Sequence, residues 1–291
     1  MQGDEEHSIL THLEEAKQLM VRSLAETPLA FLTRDYSQLF GSGKMLRSRM
    51  IFRIGPASRV DPPTLVGAAA AVEMIHSASL LHDDVIDGGY LRRGAPAFWV
   101  DRGVSGAILL GDLLLFKAME LVMSLENGRL IPPLVKLTGA MCEAESEQEL
   151  VLRGTPSRWE DCLRIARLKT GSLFAFAGHV CGGTDTALCD KLQEAGFLIG
   201  TAYQLADDIL DANGDPGTSD KTLGSDRARL KTTAATALLN SNISNPISYI
   251  DNLLERAGTS LSAWPQVQQA WDSYLDQDIR PALHKNLATL S

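Results

Sequence analysis

Apolar residues recur along this chain at three-to-four spacing, and the alternation expected of strands is scarce. Between residues 8 and 26, Ile9, Leu13, Ala16, Leu19, Met20 and Leu24 form one stripe, with Glu14, Glu15 and Lys17 between them. The same period continues over 64–87, 104–125, 130–152, 158–181, 186–212, 227–240, 246–257 and 265–289. Each of these segments is predicted to be a helix. The prolines fall mostly between them, at Pro28, Pro62-Pro63, Pro96, Pro132-Pro133, Pro156, Pro216, Pro246 and Pro265, where they mark helix starts and breaks. No stretch reads as a long linker and no repeat of fixed period is visible. The pattern predicts an all-α protein, with residues 1–291 forming one domain.

Composition narrows the partners. Hydrophobic residues make up 45% and charged residues 22%, an ordinary balance for a globular protein with a sizeable core. A net charge of -9 and a pI near 5.2 disfavour nucleic acid and anionic lipid, both of which reward a basic surface. An anionic substrate therefore needs metal ions or a local cluster of bases. Cys142, Cys162, Cys181 and Cys189 show no metal-binding or disulfide spacing, so reduced thiols and a cytoplasmic location are expected. The acidic start of the sequence does not resemble a secretory signal. The stretch from Val104 to Phe116 is broken by Asp112 and too short to span a bilayer, so no integral membrane segment is expected.

Two acidic clusters of one form change the picture. Asp83-Asp84-Val85-Ile86-Asp87 and Asp207-Asp208-Ile209-Leu210-Asp211 each end an apolar, helix-reading run. On helices, Asp83/Asp87 and Asp207/Asp211 project from one face a turn apart. Oxygen ligands without an accompanying Cys/His set point to Mg2+, which takes a few carboxylates and completes its shell with water and substrate phosphate. His76 lies two turns before Asp83 on nearly the same face, and Gln204 joins the second stripe, beside which Gly200 is expected to leave room. Loops with glycine and basic residues, 88–94 and 213–221, follow the two clusters and are expected to fold back over them. Lys44, Arg47, Arg92, Arg93, Lys169, Lys221 and Lys231 supply cations suited to phosphate oxygens. The combination points to diphosphate chemistry.

From about Lys44 to Lys231 these features resemble, in order, the trans-type polyprenyl diphosphate synthases of the polyprenyl synthetase family. HSASLLHDDVID with the following RRG is similar to that family's first aspartate-rich motif, and GTAYQLADDILD to its second. Gly111-Asp112, Glu145/Gln148 and Lys169-Thr170 fall where the family has counterparts. The resemblance implies an isoprenoid-synthase-type helical bundle around a deep central cavity. It also implies a homodimer and a head-to-tail, 1'-4 condensation of an allylic diphosphate with isopentenyl diphosphate. On that pattern Asp83, Asp87 and Asp207 are the principal Mg2+ ligands, with Asp84, Asp208 and Asp211 supporting, and about three ions gather with substrate. Arg92, Lys169, Gln204, Lys221 and Lys231 would hold the allylic diphosphate, and Thr170 and Gln204 would turn oxygen dipoles toward the allylic cation. Lys44, Arg47, His76 and Arg93 would hold isopentenyl diphosphate. Asp83, Asp87, Arg92, Lys169, Asp207 and Lys221 are the candidate catalytic set.

The chain departs from the family pattern at Met45 and Ser48, where Arg and Pro are usual, at Ala97 and Trp99, where Thr and His are common, and at Leu230, where Gly is usual. Product length in the family is limited by an aromatic residue five positions before the first Asp, a place taken here by Ala78 and followed by Ser79. Small residues there imply products of about twenty carbons or more, with Met74 and Ile75, or Leu114 and Met119 on a facing helix, as candidate floor. A class I terpene cyclase is disfavoured because its second metal motif mixes Asn, Ser or Thr and Glu. A weakly active or regulatory subunit of a heteromeric synthase is the other alternative, set against the intact acidic and basic sets.

Overall fold

Helices form where the apolar stripes predict them. A computed structural model describes residues 2–35, 39–40, 43–92, 94–213, 237 and 245–287. Helix α1 (Gln2–Ala25) buries Ile9, Leu13, Ala16, Met20 and Leu24 of the stripe read from the sequence, and Leu19 is partly buried. It is followed by α2 (Leu46–Ile54), α3 (Pro62–Ile86), α4 (Phe98–Ser124), α5 (Ile131–Glu147), α6 (Trp159–Lys169), α7 (Gly171–Cys181) and α8 (Thr186–Asn213). The described chain resumes with α9 (Pro246–Thr259), α10 (Pro265–Tyr274) and α11 (Arg280–Leu287). A two-stranded hairpin, β1 (Leu91–Arg92) with β2 (Ala95–Pro96), is the sheet found among the described residues.

Several boundaries differ from the sequence expectation, among them 265–289, where a π turn, Leu275–Ile279, separates α10 from α11. Helix α2 was not predicted: it is short, and Arg47, Arg49 and Arg53 interrupt its apolar stripe of Leu46, Met50, Ile51 and Ile54. The segment 158–181 is two helices, because the chain turns at Thr170 between Lys169 and Gly171. Helix α5 ends at Glu147 and passes into a wider π turn, Gln148–Leu152. Helix α4 begins before residue 104, with Gly103 at φ 77 kinking its first turn. The helix expected over 227–240 lies outside the described residues except for Ala237, which is helical and buried.

Two antiparallel helix pairs build the centre. Between α3 and α4 the His82 ring packs over Gly111, where an added Cβ would lie 2.3 Å from it. His82 Nε2 in turn sits 3.2 Å from the Ile108 carbonyl oxygen and 3.4 Å from Asp112. In α7 and α8 the backbones themselves approach closely. A Cβ on Gly200 would lie 2.4 Å from the Gly171 Cα, one on Gly196 2.3 Å from the Phe174 carbonyl oxygen, and one on Gly178 2.2 Å from that of Leu192. The space beside Gly200 therefore holds the backbone of α7, which corrects the expectation that it is left open.

Helix α3 starts sharply. Asp61 accepts hydrogen bonds from the Thr64 amide at 3.0 Å and the Thr64 hydroxyl at 2.9 Å, and Pro62 opens the helix, a cap worth about 1 kcal/mol. By length and composition α3 could cross a bilayer, but 72% of its apolar window is buried against other helices, as in the core helix of a packed bundle. One continuous core joins α3 to Phe174, Phe176, Trp271 and Tyr274. The chain ends are tied to α2 by charge: Arg53 bonds Asp278 at 2.7 Å, Glu6 at 2.9 Å and Glu5 at 3.1 Å, while Arg49 joins Glu6 and Asp278. All four cysteines are free thiols.

Candidate active site

The first acidic cluster occupies the last turn of α3. Asp87 closes the helix, its amide donating to the Asp83 carbonyl at 2.7 Å, and Gly88, at φ 55, turns the chain away. Carboxylates at this end meet the negative pole of the helix dipole, which opposes each by about 0.3–1 kcal/mol unless a cation is near. Asp83 and Asp87 are partly exposed, while Asp84 is buried. The hairpin brings a cation back to the cluster: Gly94 lies at φ 76 between the strands, and Arg92 pairs with Ala95. Arg92 then donates from Nε to Asp84 Oδ1 at 3.0 Å and from a second nitrogen to the same oxygen. Trp99 holds the return of the loop, its indole N–H donating to the Gly89 carbonyl at 2.8 Å and its ring lying 5.1 Å from that of Tyr90.

A second cation stands opposite, at the break between α6 and α7. Lys169 pairs with Glu145 of α5 and donates to Gln148 Oε1 at 3.4 Å, in the first position of the π turn. Such turns often mark functional positions in otherwise regular helices. Burial alone would lower the Lys169 pKa, but the Asp83 carboxylate, followed by Glu145 and Asp87, outweighs it and raises the value well above that of a free lysine. That balance places Lys169 in the field of the first acidic cluster. Its neighbour reaches the second: Thr170 Oγ1 donates to Gln204 Oε1, and Gln204 Nε2 donates to Asp208 Oδ1 at 2.6 Å. Cys162 of α6 also faces this side, its thiol pushed up to about 12 by burial and then by Asp208. Asp207 and Asp208 are partly exposed in the late turns of α8. Lys169-Thr170 thus joins the ends of two helices that carry matching acidic motifs.

The remaining candidates are spread over α2 and α3. Lys44 is exposed, and its ammonium donates to the Ala282 carbonyl at 3.3 Å. The Arg47 guanidinium carbon lies 4.8 Å from the centre of the Phe174 ring. His76 is partly exposed on α3, with its carbonyl accepting the Ser79 hydroxyl at 2.8 Å. Met74 and Ala78 are fully buried. Asp211 continues α8, but its side chain lies outside the described residues, as do Arg93, Lys221 and Lys231. Glu73, Ser48 and Trp99 escaped the sequence reading as contributors to this region. Ser48 and Trp99 stood out in the sequence only as departures from the family pattern, and their contacts, with Glu73 and with the Gly89 carbonyl, depend on the fold.

A cleft of about 770 Å³ elsewhere, lined by Gly258, Thr259, Gln268, Asp272 and Arg280 between α9 and α10, contains none of the predicted site residues. Charge and ligand chemistry, rather than open volume, place the candidate site between α3, α6, α7 and α8. Its acidic donors are carboxylate oxygens. Among the described residues no three His, Cys, Asp or Glu side chains converge tightly enough to enclose an ion unaided. Carboxylate oxygens are the donor type that Mg2+ takes, a few of them together with water and phosphate.

The sequence profile of the polyprenyl synthetase family matches residues 30–269. The chain is 35% identical over 229 residues to a geranylgeranyl diphosphate synthase of Mycobacterium tuberculosis (strain ATCC 25618 / H37Rv), covering 75% of this chain and 65% of that protein. It is 38% identical over 181 residues to a nonaprenyl diphosphate synthase of the same strain, covering 60% of this chain and 52% of that protein. The matched stretch therefore spans less than two thirds of either relative. In three dimensions it resembles a polyprenyl synthase from Caulobacter crescentus CB15, complexed with calcium and isoprenyl diphosphate. The TM-score is 0.73 at 27% identity, over 96% of this chain and 93% of that one. With its all-helical architecture and paired acidic motifs in the matched region, the chain belongs to the polyprenyl synthetase family.

Proposed function

We propose that the protein is a Mg2+-dependent prenyltransferase that joins an allylic diphosphate to isopentenyl diphosphate, head to tail, giving a longer trans-prenyl diphosphate. The observation that carries this reading is the Lys169-Thr170 junction, with Lys169 in the field of Asp83 and Asp87 and Thr170 linked through Gln204 to Asp208. Asp83, Asp87 and Asp207 would hold Mg2+, supported by Asp84, Asp208 and Asp211. When bound, Mg2+ supplies neutralising charge to a departing diphosphate. Lys169 and Arg92 add fixed positive charge where that negative charge gathers, stabilising the transition state more than the ground state. Thr170 and Gln204 direct oxygen dipoles toward the allylic carbon. Lys44, Arg47 and His76 would hold the isopentenyl diphosphate so that its double bond meets the allylic carbon before water does. No protein nucleophile takes part.

The small side chain of Ala78, one turn above Met74 on α3, supports products of about twenty carbons or more. The names of the relatives leave length open, since they differ in prenyl number. Calcium and isoprenyl diphosphate in the Caulobacter structure support divalent metal and diphosphate as ligands here. A homodimer is supported by α4, which leaves Leu109 68%, Phe116 70% and Met123 62% exposed along one stripe at heptad spacing. Free thiols agree with a cytoplasmic location. The test is incubation of the purified protein alone with isopentenyl and farnesyl diphosphates, with Mg2+ or with excess chelator, and mass spectrometry of the products. Extended products only with metal are expected; no extension under either condition would sink the proposal.

A further inference from the structure

Glu73 lies on α3 about three turns before the acidic cluster and is only 7% exposed. Its Oε1 accepts the Ser48 hydroxyl at 2.8 Å and the Ser48 amide at 3.4 Å. Ser48, itself fully buried, is the third residue of α2, where the amide has no acceptor within the helix. The residue before a helix usually supplies that acceptor from its side chain. Here that residue is Met45, held at φ 46 and ψ 43 and lacking a side-chain oxygen. A carboxyl group from a different helix takes its place, at the end where the helix dipole favours negative charge. The first turn is also held from α10, where the Tyr274 hydroxyl donates to the Leu46 carbonyl at 2.9 Å.

Between these anchored residues sits Arg47. Its guanidinium lies over Phe174, and its Nε is buried without a hydrogen-bond partner among the described residues. Burial lowers the Arg47 pKa, opposed first by Glu73 and then by Tyr203 and Tyr274. A group in that position is costly to hold and sensitive to how α2 begins.

We propose that Glu73 is a positioning residue: by capping α2 through Ser48 it fixes Arg47 in the orientation that receives the diphosphate of one substrate. The inference rests on the prenyltransferase reading and adds the residue that organises its isopentenyl side. The test is steady-state kinetics of the full chain, varying isopentenyl and allylic diphosphates separately at saturating Mg2+, alongside thermal unfolding. Losing hydrogen bonds to a charged group corresponds to a tenfold or larger effect, so Glu73→Leu is expected to raise the isopentenyl KM about tenfold and leave the allylic KM within about twofold. Glu73→Gln keeps the acceptor and is expected to return the isopentenyl KM to within about threefold of the parent. A simple loss of folded protein lowers kcat and leaves both KM values alone, so the split separates positioning from stability.

Should Glu73→Leu fail to fold, Ser48→Ala, which deletes a single hydroxyl, carries the test with an expected rise of about threefold. An unchanged isopentenyl KM in folded Glu73→Leu or Ser48→Ala, or a parallel rise in both KM values, overturns the inference. Absence of product from the parent protein overturns instead the functional reading beneath it.

Discussion

Lys169 offers the sharpest separation of stability from chemistry. Its side chain is 24% exposed and that of Glu145 18%, between the regimes of surface and buried ion pairs. Replacing Lys169 by Met removes the charge at similar length and takes from the half-buried Glu145 the cation it shares with Asp83 and Asp87. Surface pairs contribute about 0–1 kcal/mol and broken buried pairs cost about 3–5 kcal/mol, so a loss of about 2 kcal/mol is expected. For a chain of this size that lowers Tm by about 3 °C. Adding Glu145→Gln removes the stranded charge and is expected to restore most of the Tm, as a double-mutant cycle should when two residues couple directly. Activity follows a different course. Removing one group that stabilises departing charge lowers kcat by about 10²–10³, and the double variant is expected to stay at that level. Calorimetry and initial rates on four proteins complete the cycle. Recovery of kcat together with Tm in the double variant would refute a direct role for Lys169 and reduce it to a structural counter-ion. The raised pKa fixes the pH behaviour as well. Stability from the Lys169 charge is fully present below the unfolded value of about 10.4 and is lost only as pH rises through the higher folded value. Lys169 therefore contributes no titration near neutral pH.

Two further outcomes are expected. Ala78→Phe shortens the products seen by mass spectrometry if the position lines the prenyl chamber, with a modest Tm change; unaltered products with a stability loss of about 1–3 kcal/mol would mean that Ala78 is packed against a helix and does not limit length. Asp278→Ala strands Arg53, whose side chain is fully buried, although Glu5 and Glu6 remain as partners. Urea unfolding is expected to show a loss of about 2–4 kcal/mol with substrate KM values unchanged, and a loss under about 0.5 kcal/mol would show that the two glutamates suffice.

The helical architecture was legible because helix packing needs an apolar stripe at fixed period, and α1, α3, α5 and α8 carry one with few interruptions. Helix α2 was not legible for the opposite reason: three arginines break its short stripe, and only the fold reveals that Arg53 is neutralised by residues from both ends of the chain. The split at Thr170 was also hidden. Just after the break the Gly171 backbone lies against Gly200 of α8, a contact that no reading of 158–181 alone contains. In the site, the acidic motifs and Lys169-Thr170 were visible as residue types at set spacing. Their pairings were not: Arg92 with Asp84, Lys169 with Glu145, Trp99 with the Gly89 carbonyl and Glu73 with Ser48 depend on which faces meet.

The glycine contacts between α7 and α8 carry a mechanical consequence. At Gly178, Gly196 and Gly200 a Cβ would meet main-chain atoms within 2.4 Å, so a side chain at any of the three forces the two helices apart. Lys169 and Thr170 sit at the end of that seam, where α7 begins. A single methyl group added far from any charge would thus displace the junction that faces both acidic motifs.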